Sequence, residues 1–476
     1  MIRQFFKDSF LYGISSVVIQ GIPILVLPVY VRLLSPSEYG ALEILTIFAA
    51  FVNLTVALEI TQGFARHYPD ARTEEEKCEY ASTALWFTLA AYGLFAIIAL
   101  FFLGPLTAMI LHAAAWENTL AVAIVATSLN GVYLLLQNQL RWQMKPLAYV
   151  TASMLYVCLS VSAGIALIFL YRTGVAGVFY GQIIGAAAAG CSAWFMGRKN
   201  YAFIFSRTKC EEMLTFSLPL IPSSISVIVA GYVDRIAIQN LMTLDDVGIY
   251  SAGFRVASIA NILMAGIYFS LTPLIYQNYR KEGTPQDIVR IFTYFLCGTL
   301  PVLMGLSLFS REILQMFTTP PYYGAWAIIP VLAVASVCSK MYIFAPGLDI
   351  EKKTKTIAMI NIAAAAVNVA LNLLLIPPLG ILGAALATLT STVILFFAYM
   401  HKSQKFYPIP YNRKAIIGAC FTTTTIVCMS YFVPAKFTAN HILTMAAKLL
   451  VLFAASIWIA RNLLKDKVKN YQILNN

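Results

Sequence analysis

Three charged side chains stand inside apolar runs near the middle of the chain: Asp234 and Arg235, side by side, and Arg255 twenty residues on. A charge at the centre of a bilayer costs about 2.5–3.5 kcal/mol on insertion scales, so a residue of this kind faces a water-filled cavity or a partner charge. The surrounding stretch, 216–261, is rich in helix breakers, with Pro219 and Pro222 ahead of the pair and Gly231 beside it. It reads as two membrane helices, 216–241 and 248–275, joined by a short acidic turn. Arg235 lies about six residues from the outer end of the first helix and Arg255 about seven residues into the second. At ~1.5 Å per residue they share a depth of about 9–11 Å. Both are candidate cavity-lining cations, and a structural ion pair with Asp234 is the competing assignment. Lys340, in the cytoplasmic half of a later span, is a third candidate, harder to explain by snorkelling.

A second group lies near the start. Glu43, Glu59 and Arg66 fall on one predicted span, and Glu59 and Arg66, seven apart, share a helical face. Arg66 is equally placed to be a boundary charge, and Arg32, which closes the first span, to be an interfacial anchor. Asp234, Glu59 and Glu43 are the acidic groups that could couple movement to an ion. Pro23 and Pro28 in the first span, with Pro219 and Pro222 in its counterpart, mark the expected bends. Lys448, in the last span, is assigned to packing or lipid headgroups.

The elements that position these residues follow from composition. With 60% hydrophobic and 11% charged residues in 476, the chain cannot be an ordinary soluble domain, where charged residues make up about 25%. It is an all-α polytopic membrane protein with about fourteen transmembrane helices. The predicted spans are 9–31, 41–65, 81–103, 117–140, 147–170, 174–196, 216–241, 248–275, 290–309, 326–346, 356–376, 379–400, 415–433 and 442–464. The basic residues at or beyond the span ends divide 25 to 4 between alternate sides of the membrane. That asymmetry predicts cytoplasmic termini and an even number of spans, and it accounts for most of the +12 net charge without a nucleic-acid partner. The basic N-terminal stretch leads into an apolar run too long for a signal-peptide core and is expected to remain as the first span.

The halves repeat. Glu38-Tyr39-Gly40 aligns with Asp246-Val247-Gly248 at an offset of 208, and Gly174-x-x-Gly177 with Gly380-x-x-Gly383 at 206. Six spans per repeat imply two parallel six-helix lobes around a central cavity, related by an axis along the membrane normal. The expected division is 1–206, 207–403, and 404–476 for two additional C-terminal helices. The charges do not repeat: Asp234 aligns with Val26 and Arg255 with Ile47. A one-sided polar lining suits an asymmetric ligand.

Eight scattered cysteines without a C-x-x-C pair and four isolated histidines offer no metal site or disulfide framework. There is no nucleotide-binding loop and no nucleophile, base and acid that the topology would bring together. Neither an enzyme nor an ATP-driven pump is expected, and no cofactor.

The run Leu27-Pro28-Val29-Tyr30-Val31-Arg32-Leu33-Leu34-Ser35-Pro36-Ser37-Glu38-Tyr39-Gly40 resembles the polysaccharide flippases of the Wzx type, as do Leu218-Pro219-Leu220-Ile221-Pro222, Asp234-Arg235 and Val247-Gly248-Ile249-Tyr250-Ser251. Asn372 to Pro377, followed by Gly380 to Thr388, completes the likeness, which covers nearly the whole chain. These proteins belong to the multidrug/oligosaccharidyl-lipid/polysaccharide exporter superfamily. The resemblance implies a central cavity carrying an undecaprenyl-diphosphate-linked oligosaccharide across the bacterial inner membrane, with glycan polymerase and export machinery as further partners. A diphosphate requires cations in a low-dielectric cavity, and Arg offers planar, multidentate donors. Arg255, Arg235, Lys340, Arg66 and Arg32 are the substrate-binding candidates on that basis. The alternatives are a multidrug or metabolite antiporter of the same superfamily, for which an acidic lining is expected, and a membrane glycan polymerase or ligase, for which a large outer loop is expected. A scaffolding role in the glycan machinery is a further alternative.

Overall fold

The computed structural model describes residues 21–22, 24–261, 271, 275, 278–432 and 441–474. Among them the regular elements are all helical. Eleven helices are long and apolar enough to cross a membrane, twelve if the pair Pro320–Ala327 and Ile329–Phe344, bent by 54°, is one span. This is a multi-pass membrane protein. The twelve coincide with twelve of the fourteen expected spans. Of the other two, 9–31 is described only from residue 21 on, with a short apolar helix α1 (Ile24–Leu33), and 248–275 mainly through α11 (Leu244–Ala257).

The chain divides into two compact units, Met1–Ile236 and Ala237–Asn476. In the first unit α2 (Pro36–Thr55) begins at a capping box in which Ser35 and Glu38 satisfy each other's backbone donors. α3 (Ile60–His67) follows, then α4 (Glu74–Phe101), whose first turn carries three glutamates against the helix dipole. α5 (Leu103–Leu111), α6 (Glu117–Trp142), α7 (Pro146–Tyr171), α8 (Ala176–Gly197), α9 (Arg207–Ser217) and α10 (Ile221–Leu241) complete the bundle. Met213 on α9 is fully buried with Phe64, Tyr80 and Leu140 in the core of the first unit. That burial ties α9 to the first unit.

The second unit contains α11, α12 (Thr284–Leu308), α13 (Ser310–Phe317), α14 (Ile329–Cys338), α15 (Gly347–Ile350), α16 (Thr354–Leu379), α17 (Ile381–Ser403), α18 (Arg413–Phe432) and α19 (Thr444–Leu464). Its first helix again starts at a capping box, Thr243 with Asp246, 208 residues after Ser35 and Glu38. Gly174 and Gly380, 206 apart, both have positive φ, +56° and +58°, where a side chain would be strained. In the first unit this glycine lies against the first turn of α2, and in the second against the residue just before the Thr243 cap of α11. A Cβ on Gly174 would sit 2.3 Å from the Glu38 carboxylate, and one on Gly380 would sit 3.3 Å from the Met242 methyl. The repeat extends from sequence to caps, turns and local packing.

The predicted span 41–65 requires a correction. It is two helices, broken between Thr55 and Ile60, with Leu58 and Glu59 at φ +49° and +53°. Two consecutive non-glycine residues in the left-handed region cost about 1–2 kcal/mol each. No glycine or proline marks the site in sequence. The break is held from outside: Ser217 Oγ donates to the Leu58 carbonyl at 2.7 Å.

Candidate functional site

Asp234, Arg235 and Glu43 meet in the first unit. Arg235 is 3% exposed, and its Nε lies 3.7 Å from Glu43 Oε2. Its Nη1 stands 3.5 Å from Asp234 Oδ1 and also donates to the Gly231 carbonyl at 3.3 Å. Asp234 Oδ1 in turn accepts from the Arg235 backbone N–H at 2.9 Å, and the guanidinium carbon lies 5.5 Å from the centre of the Tyr232 ring. Glu43 is buried on α2 and Asp234 on α10, so the cluster ties the second span to the seventh. One guanidinium is shared by two carboxylates.

The other early candidates lie elsewhere. Arg66 is half exposed and pairs with Asp70 four residues on, an arrangement that fits the boundary assignment. Arg32 is exposed in the last turn of α1, and Glu59 sits in the break between α2 and α3. Pro28 lies within α1, and Pro219 and Pro222 are exposed around the 3-10 turn that opens α10. Pro23 is outside the described residues.

In the second unit Arg255 is half-buried in the last turn of α11, and Lys340 is half-buried where α14 gives way to a 3-10 turn. No carboxylate lies within 4 Å of Lys340 among the described residues. Lys448 is paired with Glu312, both largely buried, so it serves packing within the unit. The Glu43–Arg235 pairing was open to depth reasoning, since both residues lie a few positions inside the outer ends of their spans. Glu312, near a span end, gave no comparable sign of its partner.

The family model for polysaccharide biosynthesis proteins matches residues 29–319. The chain belongs to that family. Among curated relatives, the succinoglycan biosynthesis transport protein ExoT of Rhizobium meliloti (strain 1021) is 20% identical over 320 residues, 66% of this chain and 63% of that protein. The chain thus spans less than two thirds of the first curated relatives it matches. Among solved structures, the lipid II flippase MurJ in an inward closed conformation aligns over 97% of this chain and 100% of its own, with a TM-score of 0.72 at 16% identity. An inward-facing multidrug resistance MATE transporter aligns over 81% of this chain and 95% of its own, with a TM-score of 0.63, also at 16% identity. The fold is shared with these solved flippase and transporter structures, and the curated relative above is named as a transport protein. The polysaccharide biosynthesis match takes in Glu43, Asp234, Arg235 and Arg255, whereas Lys340 lies beyond it.

Proposed function

We propose that this protein moves a lipid-linked, diphosphate-bearing oligosaccharide from the cytoplasmic to the outer leaflet of a bacterial inner membrane by alternating access. The observation that supports it most directly is the match to the polysaccharide biosynthesis family over 29–319, on a fold shared with a lipid II flippase. Arg255 and Lys340 hold the anionic headgroup, because a diphosphate left uncompensated in the membrane costs several kcal/mol per charge. Arg235 is a further cation for the headgroup, with Glu43 and Asp234 beside it as the coupling groups. Arg32 and Arg66 stand at span boundaries, where they meet the substrate on entry or exit. The polymerase and export machinery for the same glycan are the partners that would act on the product.

The MATE likeness supports a second reading, an antiporter of organic cations. The two separate at Arg255. Under the flippase reading, Arg255→Ala greatly reduces surface glycan at unchanged protein abundance, and Arg255→Lys retains part of it because charge remains while the fork is lost. Normal surface glycan with Arg255, Arg235 and Lys340 all changed to Ala would reject it.

A further inference from the structure

A groove with an apolar lining and a cationic end lies in the first unit, away from the Glu43–Arg235–Asp234 cluster. It runs between α4, α6 and α8, has a volume of about 560 Å³, and is floored by Tyr133, Ala186 and Gly190. Trp194 and Phe203 stand at its edge, 49% and 91% exposed. The volume lies within the range of about 300–1,000 Å³ typical of small-ligand clefts.

The extended segment 201–206 closes one end of the groove and is tied to α4. The Ala202 N–H donates to Ser82 Oγ at 2.9 Å and the Ser206 N–H to Thr83 Oγ1 at 3.0 Å. Trp86 Nε1 donates to the Ala202 carbonyl at 3.3 Å, and the Phe203 ring meets the Trp86 ring edge-on at 4.7 Å. The exposed aromatic side chains of this segment are therefore presented on a fixed backbone. An aromatic edge of this kind belongs at the level of lipid headgroups.

Three cations gather at the same end. Lys145 Nζ donates to the Met196 carbonyl in the last turn of α8 at 3.1 Å. Arg198 lies over the Phe195 ring at 4.4 Å, and Lys199 is exposed beside it in sequence. No carboxylate approaches any of the three within 4 Å among the described residues. Burial, and then the neighbouring Lys199 ammonium, hold the Lys145 amine below its ordinary range. An anion placed between the two lysines would relieve that repulsion. By the loop-charge rule this end is cytoplasmic.

We propose that the groove is a phospholipid site: it takes an acyl chain of an anionic phospholipid of the cytoplasmic leaflet, and Lys145, Lys199 and Arg198 hold the phosphate. The charge complementarity selects an anionic lipid over a zwitterionic one, at a level set by the attraction of each basic residue near a membrane surface. The site is independent of the transported substrate.

Native mass spectrometry of the delipidated full chain, offered equal amounts of phosphatidylglycerol and phosphatidylcholine with matched chains, tests it. The wild type should retain one phosphatidylglycerol at least about fivefold over phosphatidylcholine. Lys145→Gln with Lys199→Gln should abolish that preference. Ala187→Trp, which fills the groove from an exposed position on its wall, should remove the retained lipid, with thermal melts confirming that both variants are folded. Equal retention of the two lipids by the wild type, or an unchanged preference in the double lysine variant, would overturn the proposal. So would full retention by folded Ala187→Trp. None of these readouts depends on transport, so the site and the flippase reading stand or fall separately.

Discussion

The hairpin α7–α8 of the first unit and its counterpart α16–α17 in the second solve the same packing problem with different chemistry. In α7–α8 the backbones touch. A Cβ on Gly181 would lie 2.3 Å from the Ser160 carbonyl, and one on Gly185 would lie 2.8 Å from the Tyr156 carbonyl. Small residues let membrane helices approach closely, and contact dispersion replaces a hydrophobic drive that is absent between helices in lipid. In α16–α17 the backbones touch near the turn, where a Cβ on Gly383 would lie 2.0 Å from the Leu375 carbonyl, and farther along the join is polar. Asn368 donates to Ser391 Oγ at 3.0 Å, and Asn372 donates to the Asn368 carbonyl at 2.9 Å. Ser391 aligns with Gly185 at the offset of 206. Equivalent positions have been assigned close approach in one half and hydrogen bonding in the other, so duplication preserved the architecture and released the side chains. The charges differ in the same way. The first unit buries an arginine between two acids, and the second leaves Lys340 with no acid within salt-bridge distance among the described residues.

The largest expected effect comes from the charge difference. Arg235→Ala removes the buried guanidinium that lies against Glu43 and Asp234, a loss of about 3–5 kcal/mol. It should appear as a sharply lowered melting temperature in detergent at neutral pH. Adding Glu43→Gln should recover part of that loss, and a double variant no better than the single would show that Glu43 is not coupled to Arg235. Next in size is Gly181→Ala, which drives a methyl group into the backbone of α7 and should cost about 1–3 kcal/mol by overpacking. The same change at Gly298, where nothing lies within 4 Å of the new Cβ, should be nearly silent. The smallest is Asn368→Ala. Hydrogen bonds between membrane helices average about 0.6 kcal/mol, and Ser391 keeps its own bond to the Thr388 carbonyl. If Asn368→Ala proved costlier than Gly181→Ala, the contrast between the two hairpins would be wrong.

Much of the fold was legible because it is written in long-range composition. Apolar runs set the spans, and Glu38 with Asp246 and Gly174 with Gly380 disclosed the repeat, since caps and left-handed turns tolerate few residue types. The break at Leu58 and Glu59 was not legible, because tertiary contacts impose it: Ser217 holds the Leu58 carbonyl, and Gly63 brings α3 against the Met213 backbone, where a Cβ would meet the carbonyl at 2.3 Å. Of the site, the identity of the membrane-buried charges could be read, but their pairing could be read only in part. Asp234 and Arg235 are neighbours in sequence, whereas Glu43 reaches Arg235 only through the packing of two helices nearly two hundred residues apart.

Transport itself is the most direct test. Purified protein in vesicles, loaded with a fluorescent lipid-diphosphate oligosaccharide, would be assayed for the fraction of label that an impermeant quencher reaches with time. The flippase account predicts that the wild type exposes label initially on the inner leaflet, that Arg255→Ala does so much more slowly, and that neither variant accumulates an organic cation. Uptake of the cation by wild-type protein that leaves the lipid-linked sugar in place would contradict the account.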